Sequence, residues 1–209
     1  MIDLPEPTAV DSDSIAPMID AIAAQGYVVV REFIDAETVA ALRARALELD
    51  AAGRFTAAAV GHGAGRVERV DVRGDRICWL DSSTSDRAEL FLFAKLEAVR
   101  LAANRALQLG LFELEAHYAI YAAGRGYARH RDRFRDDDAR VLSIVLYLND
   151  RWRAHEGGAL RLHLPHGAWV DVMPQGGTLA AFLSDRFAHE VLPTTRQRLS
   201  IAGWFRRLA

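Results

Sequence analysis

Cysteine and lysine are almost absent from this chain, and each absence excludes a class of chemistry. Cys78 is the single cysteine in 209 residues, which excludes an internal disulfide and a thiolate metal cluster and fits a reducing compartment. Lys95 is the single lysine and lies in a helical pattern, so a Schiff-base mechanism is disfavoured.

Long apolar runs and an excess of one charge are also missing. No stretch approaches the run of about 18 apolar residues that a membrane-spanning helix needs, and residues 1–14 are acidic rather than similar to a signal peptide. The formal net charge is −2 and the positive residues are scattered, so neither nucleic acid nor a membrane is an expected partner. We expect a cytoplasmic protein, and composition leaves its oligomeric state open.

Apolar residues make up 51% of the chain, enough for a single domain over residues 1–209 that buries roughly 70% of its unfolded surface. Helical periodicity is confined to the first half. It predicts one helix over 14–25 with Pro17 in its first turn, a second that Asp35 caps, and a third over 85–109. We therefore expect residues 1–110 to form a helical buttress and an entrance loop.

The pattern changes after Gly110 to short β-rich segments separated by Gly, Pro, Asp and Asn. Eight such segments suit a jelly roll, the double-stranded β-helix, and helices followed by strands indicate an α+β protein. Residues 111–209 would be its antiparallel core. The predicted strands are 114–121, 127–132, 140–148, 159–164, 169–172, 177–183, 188–191 and 198–206.

His130 and Asp132 form the most informative short pattern. They lie at i and i+2 of an extended segment, so their side chains point to one face while Arg131 points away. Two such ligands joined by a distant histidine make the 2-His-1-carboxylate triad, which binds Fe(II) and leaves positions open for substrate and O2. The pattern alone is weak, because a packing or surface role is as common for these residue types.

We propose His189 as the third member of this triad. The same half of the chain offers three rival histidines: His155, His163 and His166. His163 alternates with two leucines, which indicates an outward face, and the other two rivals lie in loop-like sequence. His189 instead lies in a predicted strand.

Arg198 begins the last predicted strand and shares one face with Ser200, Ala202 and Trp204. A cation that points into a barrel is costly unless it is paired, and a carboxylate fits the guanidinium fork best. Two partners remain open: a bound carboxylate ligand, or a protein Asp or Glu at the barrel rim.

Two tyrosines could bring hydroxyl groups into the same interior. Tyr147 shares a face of the 140–148 strand with Ser143, and Tyr121 shares a face of its strand with His117. Buried tyrosines normally find a hydrogen-bond partner. Each residue could therefore line the site or be a satisfied packing residue.

Three segments outside these strands carry open alternatives. The Gly-rich residues 53–67 are either a surface connection or a lid over substrate. Arg73 and Asp75 flank a turn that enters a strand, where a surface ion pair of little value is the simpler interpretation. The acidic run 136–138 is typical of a solvated turn rather than of a second metal site.

Together these elements resemble the prolyl-hydroxylase branch of the Fe(II)/2-oxoglutarate dioxygenases, the group that contains the hypoxia-inducible-factor prolyl hydroxylases and their bacterial relatives. The resemblance covers about 130 residues from Asp71 onward. The matching residues, in chain order, are Arg73-Gly74-Asp75, Ile77 and Trp79; Tyr121, Gly126-Tyr127, Arg129-His130 and Asp132; Arg140; Tyr147-Leu148-Asn149 and Trp152; Gly157-Gly158 and Leu160-Arg161; Ser184-Asp185-Arg186; His189-Glu190-Val191; Arg198 and Trp204.

The resemblance implies that iron is bound by the two predicted histidines and the aspartate. It implies that Arg198 forms a salt bridge with the distal carboxylate of 2-oxoglutarate and that Tyr147 donates a hydrogen bond to the same carboxylate. Tyr121 is placed in the cosubstrate pocket and Leu160 on its wall.

The substrate side of the site is implied by the same resemblance. Tyr127 would lie beside the iron, Trp204 on the pocket wall, and Arg140 at the rim. The turn from Arg73 to Asp75 would belong to the entrance loop over the substrate.

The function implied is that of an Fe(II)/2-oxoglutarate-dependent dioxygenase that hydroxylates a prolyl residue in a protein and releases succinate and CO2. Its cofactors would be Fe(II), 2-oxoglutarate and O2, with ascorbate as a further candidate. Two alternatives stay open: hydroxylation of a free amino acid or another small metabolite, and a non-catalytic barrel module whose metal is structural. The triad together with Arg198 favours an enzyme, because a closed structural site needs neither open positions nor an anchored cosubstrate.

Overall fold

The computed structural model describes residues 12–58, 72–132 and 139–208. The acidic run 136–138 and most of the Gly-rich segment lie outside these ranges, so both interpretations stay predictions. In the described parts, every helix is either too short or too polar to cross a membrane.

Three helices occupy the first half of the chain: α1 (Ser12–Gln25), α2 (Ala36–Ala51) and α3 (Arg87–Leu107). The predicted cap of α2 is confirmed, since Asp35 accepts a 2.7 Å hydrogen bond from the backbone N–H of Thr38. Helix α1 begins two residues earlier than predicted, so Pro17 lies inside it rather than in its first turn. This position still removes only one backbone donor close to the helix start.

Eleven strands are present in the described residues, and the eight predicted in the second half are among them. Strand β5 ends at residue 130 rather than 132, and the shortest strand, β2, was not predicted. The bounds are β1 (Tyr27–Val30), β2 (Thr56–Ala57), β3 (Asp75–Trp79), β4 (Glu113–Tyr121), β5 (Tyr127–His130), β6 (Arg140–Tyr147), β7 (Leu160–His163), β8 (Trp169–Val172), β9 (Leu179–Leu183), β10 (Ala188–Val191) and β11 (Arg198–Arg206).

The strands form two antiparallel sheets. The larger has seven strands in the order β1-β9-β6-β11-β4-β3-β2, and the smaller has four in the order β5-β10-β7-β8. From β4 onward the chain passes back and forth between the two sheets, with β7 and β8 paired in the smaller one, as in a double-stranded β-helix, so the jelly-roll prediction is confirmed.

Alternation along the strands divides the apolar residues between two layers. On β6, Leu142, Ile144 and Leu146 belong to a core shared with the three helices, which pack on the outer face of the larger sheet. Tyr147 belongs to a second core between the two sheets, together with Leu160. Polar side chains that point into this second core form the candidate site.

Candidate active site

His130, Asp132 and His189 converge between the sheets. Antiparallel pairing of β10 with β5 sets His189 opposite His130, and Asp132 follows in the bend beyond β5. One ligand atom from each residue lies within 4.8 Å of the others. Nε2 of His130 is 3.6 Å from Oδ1 of Asp132, and Nε2 of His189 is 3.5 Å from Oδ2.

Backbone hydrogen bonds orient both imidazoles. Nδ1 of His130 is 2.8 Å from the carbonyl oxygen of Ala128, and Nδ1 of His189 is 3.3 Å from that of Phe187. A carbonyl can only accept, so each Nδ1 carries the proton and each Nε2 presents a lone pair. Two lone pairs and a carboxylate that face one another leave a place suited to a cation.

The protonation states of this cluster also suit a metal. Burial lowers the pKa of His189 to about 4, so its imidazole is neutral at neutral pH. Burial alone would raise the pKa of Asp132, but His189, His130 and the hydroxyl of Ser143 outweigh it and hold the pKa well below its usual value. The site therefore presents an ionised carboxylate beside a neutral imidazole.

Aromatic rings brace both histidines. The ring of Tyr127 stacks on His130 with centroids 3.6 Å apart, and Phe182 meets His189 edge to face at 4.8 Å. The rival histidines do not join the cluster, since within the described residues the group contains only the three predicted members. His163 instead pairs with Glu190 at 2.9 Å.

A polar well lies deeper in the same interior. Arg198 is 1% exposed; its Nε donates to the carbonyl of Gly158 at 2.9 Å and its Nη1 to Ser200 at 3.2 Å. Its Cζ lies 5.1 Å from the ring centroids of both Tyr121 and Tyr147. The well thus combines one buried cation with two flanking aromatic rings.

Two polar atoms of this well have no partner among the described residues: Nη2 of Arg198 and Oη of Tyr147. Burial raises the pKa of Tyr147 to about 12, so its hydroxyl keeps its proton and remains a donor. A protein carboxylate does not pair with Arg198, which removes that alternative for the described residues. An anionic ligand would satisfy both donors, and the buried cation would offset its desolvation.

The two other residues predicted for the cosubstrate pocket, Tyr121 and Leu160, are also buried in this interior. Tyr121 lies directly opposite Arg198 in the pairing of β11 with β4 and is 4% exposed. Leu160 is 1% exposed and belongs to the same inner core as Tyr147. Both residues therefore border the well.

The residues predicted for the entrance lie around Tyr127, whose ring stacks on His130. Arg73 forks onto Asp75 with bonds of 2.8 and 3.0 Å, and its Cζ lies 5.0 Å from the ring centroid of Tyr127. The pair is buried, with side chains 14% and 1% exposed, so the surface-pair interpretation is wrong. Backbone bonds from Gly74 to Gly126 and from residue 128 to residue 72 pair this segment with the start of β5.

Arg140, predicted for the rim, and Trp204, predicted for the pocket wall, contact each other on the larger sheet. The guanidinium of Arg140 lies over the indole of Trp204, 3.6 Å from its ring centroid, and donates to Glu115 at 2.8 Å. His117 packs next to them, 5.5 Å from Trp204, and its Nε2 lies 3.4 Å from Nη2 of Arg73. His117 therefore connects the two groups of residues, by a polar contact with Arg73 and by ring packing against Trp204.

Sequence reasoning missed three supports of the site. The hydroxyl of Ser143 donates to Asp132 at 2.7 Å and contacts the hydroxyl of Ser184 at 2.8 Å. The carbonyl of Gly158 orients Arg198. The alternation of β6 put Ser143 on the inward face, but the hydrogen-bond partners come from distant segments that no local pattern connects.

Comparison with known proteins agrees with this geometry. The family profile described as 2OG-Fe(II) oxygenase superfamily matches residues 116–206. A Pseudomonas putida prolyl-4-hydroxylase structure has a TM-score of 0.85 and 42% identity, over 93% of this chain and 100% of that chain. A Trichoplax adhaerens prolyl hydroxylase, solved with a hypoxia-inducible-factor peptide, shares the fold with a TM-score of 0.81, 24% identity and coverage of 90% and 87%.

The curated relatives are longer proteins. Human Egl nine homolog 1 is 28% identical over 190 residues, which are 86% of this chain and 43% of that protein. Human prolyl hydroxylase EGLN3 is 32% identical over 148 residues, 66% of this chain and 61% of that protein. The chain thus spans roughly half the length of these relatives. It belongs to the 2OG-Fe(II) oxygenase superfamily, whose members use Fe(II), 2-oxoglutarate and O2.

Proposed function

We propose that this protein hydroxylates a prolyl residue in a protein, with conversion of 2-oxoglutarate to succinate and CO2. The observation that carries the proposal is the buried cation Arg198, whose Nη2 has no partner among the described residues, in the same interior as a His-Asp-His cluster. A dicarboxylate cosubstrate would pair with Arg198, and a divalent metal would bind the His-Asp-His cluster.

Nε2 of His130, Nε2 of His189 and one oxygen of Asp132 would hold the iron. When bound, iron and 2-oxoglutarate would supply the oxidising chemistry that turns a C–H bond into C–OH with O2. The two imidazoles arrive with their lone pairs free and their rings fixed by backbone carbonyls. Little reorganisation is therefore needed before metal binds.

Arg198 would bind the distal carboxylate of 2-oxoglutarate, and Tyr147 would donate a second hydrogen bond to it. A hydrogen bond to a charged group is worth about 1.5–3 kcal/mol, which favours this cosubstrate over uncharged keto acids. Both donors are fully buried, so water does not compete for them once the cosubstrate is in place.

The substrate would lie on the side of the triad bordered by Tyr127, Trp204 and Arg140, with the turn from Arg73 to Asp75 at the entrance. Arg73 is neutralised by Asp75 and Arg140 by Glu115, so this wall offers aromatic surface and paired charges. Such a wall suits an uncharged prolyl ring in a peptide. Support for a prolyl substrate also comes from the 42% identity to a Pseudomonas putida prolyl-4-hydroxylase.

The cytoplasm remains our proposal for the compartment, supported by the single free thiol of Cys78. Ascorbate remains a proposed auxiliary reductant.

The test is a search for the oxidised product. Purified protein with Fe(II) and 2-oxoglutarate is incubated with lysate proteins and, separately, with small metabolites, and mass spectrometry follows the gain of one oxygen atom. We expect a hydroxyprolyl residue in the protein pool, dependent on 2-oxoglutarate and absent with Asp132→Ala. A gain confined to the metabolite pool would contradict the prolyl assignment, and no gain in either pool would contradict catalysis.

A further inference from the structure

Two buried serines lie behind the proposed metal site without a role in the chemistry described so far. Ser143 is on β6 and Ser184 directly follows β9, and they are 1% and 0% exposed. Pairing of β6 with β9 brings them together, since the N–H of Ser184 donates to the carbonyl of residue 141 at 3.0 Å. Buried hydroxyls need partners, and these two find each other and Asp132.

Counting protons fixes the direction of this chain of hydrogen bonds. Ser143 has one hydroxyl proton and two oxygen neighbours, Oδ2 of Asp132 at 2.7 Å and Oγ of Ser184 at 2.8 Å. The carboxylate is ionised and can only accept, so the proton of Ser143 goes to Asp132. The contact between the two serines then requires Ser184 to donate to Ser143.

The chain of bonds ends on only one carboxylate oxygen. Oδ2 of Asp132 accepts from Ser143, whereas Oδ1 has no hydrogen bond from the described residues and faces the lone pair of His130 at 3.6 Å. A carboxylate whose Oδ2 is held cannot rotate freely about its terminal torsion. Oδ1 then keeps a fixed position toward Nε2 of His130, while Oδ2 stays 3.5 Å from Nε2 of His189.

We propose that Ser184 and Ser143 form a hydroxyl relay that reserves Oδ1 of Asp132 for the metal and holds the carboxylate in place. Ser143 is a positioning residue that acts directly on Asp132, and Ser184 acts through Ser143. The inference rests on the proposed metal role of the triad. Partners that orient metal ligands in this way typically contribute about 10- to 100-fold in metal affinity.

The same strand pair supports a second ligand. Phe182 lies opposite Ser143 in the pairing of β6 with β9, and its ring packs against His189 with centroids 4.8 Å apart. β6 and β9 thus carry the contacts that fix Asp132 by hydrogen bonding and His189 by packing. Neighbouring positions of the larger sheet brace ligands that the smaller sheet and its connections supply.

Metal affinity separates this role from simple filling of the interior. Apparent Kd values for Mn(II), which is stable to air, are measured on metal-free protein without 2-oxoglutarate. We expect Ser143→Ala to weaken Mn(II) binding about 10- to 100-fold, Ser143→Thr to restore it because the hydroxyl returns, and Ser184→Ala to weaken it less than Ser143→Ala. Thr194→Val removes a buried hydroxyl that donates to the carbonyl of Arg196 at 2.8 Å and does not touch Asp132, so it should leave the Mn(II) Kd unchanged.

A double variant tests the relay itself. Ser184→Ala in the Ser143→Ala background should not weaken Mn(II) binding further, because its route to Asp132 is already lost. Urea unfolding of each metal-free variant identifies loss of fold, and Ser143→Thr supplies the folded comparison. A Kd for Ser143→Ala within twofold of wild type, or additive effects in the double variant, would overturn the relay.

The Mn(II) Kd is measured without substrate, so the test of the relay does not depend on which molecule the protein hydroxylates. If Ser143→Ala loses Mn(II) affinity while no prolyl residue gains oxygen, the relay stands and the proposed reaction fails. If hydroxylation is observed while Ser143→Ala binds Mn(II) like wild type, the reaction stands and the relay fails.

Discussion

Arg198 lies directly opposite Tyr121 in the pairing of β11 with β4, and its guanidinium stands between the rings of Tyr121 and Tyr147, 5.1 Å from each centroid. A cation held between two rings keeps a fixed orientation, while its Nη2 stays without a partner among the described residues. This arrangement leaves Nη2 of Arg198 available to donate a hydrogen bond to a carboxylate ligand.

Replacing Arg198 should act on 2-oxoglutarate affinity above all. Arg198→Gln removes the charge and the bond from Nη2 to the distal carboxylate; one charge-assisted bond of about 1.5–3 kcal/mol corresponds to a rise in KM for 2-oxoglutarate of about 10- to 160-fold. Succinate formation against 2-oxoglutarate concentration measures the effect. Arg161→Gln is the matched control, since Arg161 forks onto Asp171 at the surface; an equal effect there would contradict the assignment.

Loss of a tyrosine hydroxyl should have different effects in the well, at Tyr147, and in the core beside the helices, at Tyr118. Tyr147→Phe deletes a hydroxyl that has no partner among the described residues, so it should weaken 2-oxoglutarate binding about 3- to 10-fold with little change in stability. Tyr118→Phe deletes a hydroxyl that donates to buried Glu89 at 3.0 Å, so it should lower the free energy of unfolding by about 1–3 kcal/mol and spare the cosubstrate. Calorimetric titration and urea unfolding measure both. The reverse pattern would argue against Tyr147 as a ligand.

Gly158 should tolerate alanine worse than its backbone angle alone requires. Its φ is +70°, and an added Cβ would lie 3.2 Å from both Cδ of Arg198 and Cζ2 of Trp152. Gly167 has φ +77° with open space around it, so Gly167→Ala carries only the left-handed strain of about 1–2 kcal/mol. We expect Gly158→Ala to add weaker 2-oxoglutarate binding, measured by titration; unchanged affinity would show that Arg198 adjusts.

The two Arg–Asp pairs near β3 should differ in their contribution to stability. Asp75→Asn leaves Arg73 buried without its counter-charge, which should lower the free energy of unfolding by about 3–5 kcal/mol. Asp50→Asn breaks the pair with Arg76, whose side chain is 47% exposed, so it should lower it by less than about 1 kcal/mol. Urea unfolding of both variants gives the comparison. Equal losses would mean that Arg73 finds solvent in the variant.

His117 should make stability fall as the pH falls below 6.5. Burial, with smaller contributions from Arg73 and Arg140, lowers the pKa of His117 from 6.5 to about 3, while Asp75 and Asp132 oppose the shift. Between these values the unfolded chain binds a proton that the folded chain does not, so His117 contributes a loss of about 1.4 kcal/mol per pH unit on acidification. Urea unfolding from pH 4.5 to 6.5 should give a shallower slope for His117→Leu than for wild type. Identical slopes would place a proton on folded His117.

The sequence predicted the positions of the eight strands in the second half because β-rich runs there are short and separated by turn residues. It located β5 but extended it to Asp132, where the chain already bends. The two-residue alternation still brought His130 and Asp132 together, since one bend does not reverse the direction of a side chain two positions on. Two-residue β2 has no period to detect.

The sequence predicted those features of the candidate site that depend on a single strand. It did not predict contacts between side chains of different strands. The inward face of β11 was readable because alternation needs only local sequence, and it placed Arg198 and Trp204 inside. Whether Arg198 had a protein partner depended on side chains from other strands, which sequence alone cannot bring together. The contact of Ser143 with Ser184 likewise exists only because β6 and β9 pair in one register.

The pairing of residues 72–74 with the start of β5 connects the predicted entrance to the proposed metal site. Arg73 lies over Tyr127, and the ring of Tyr127 lies flat on His130. A substrate chain that displaces residues 72–74 would also shift the ring of Tyr127. Through that ring it would shift the imidazole of His130, which we propose binds iron. Substrate binding at the entrance would then change the optical or magnetic spectrum of iron bound at His130.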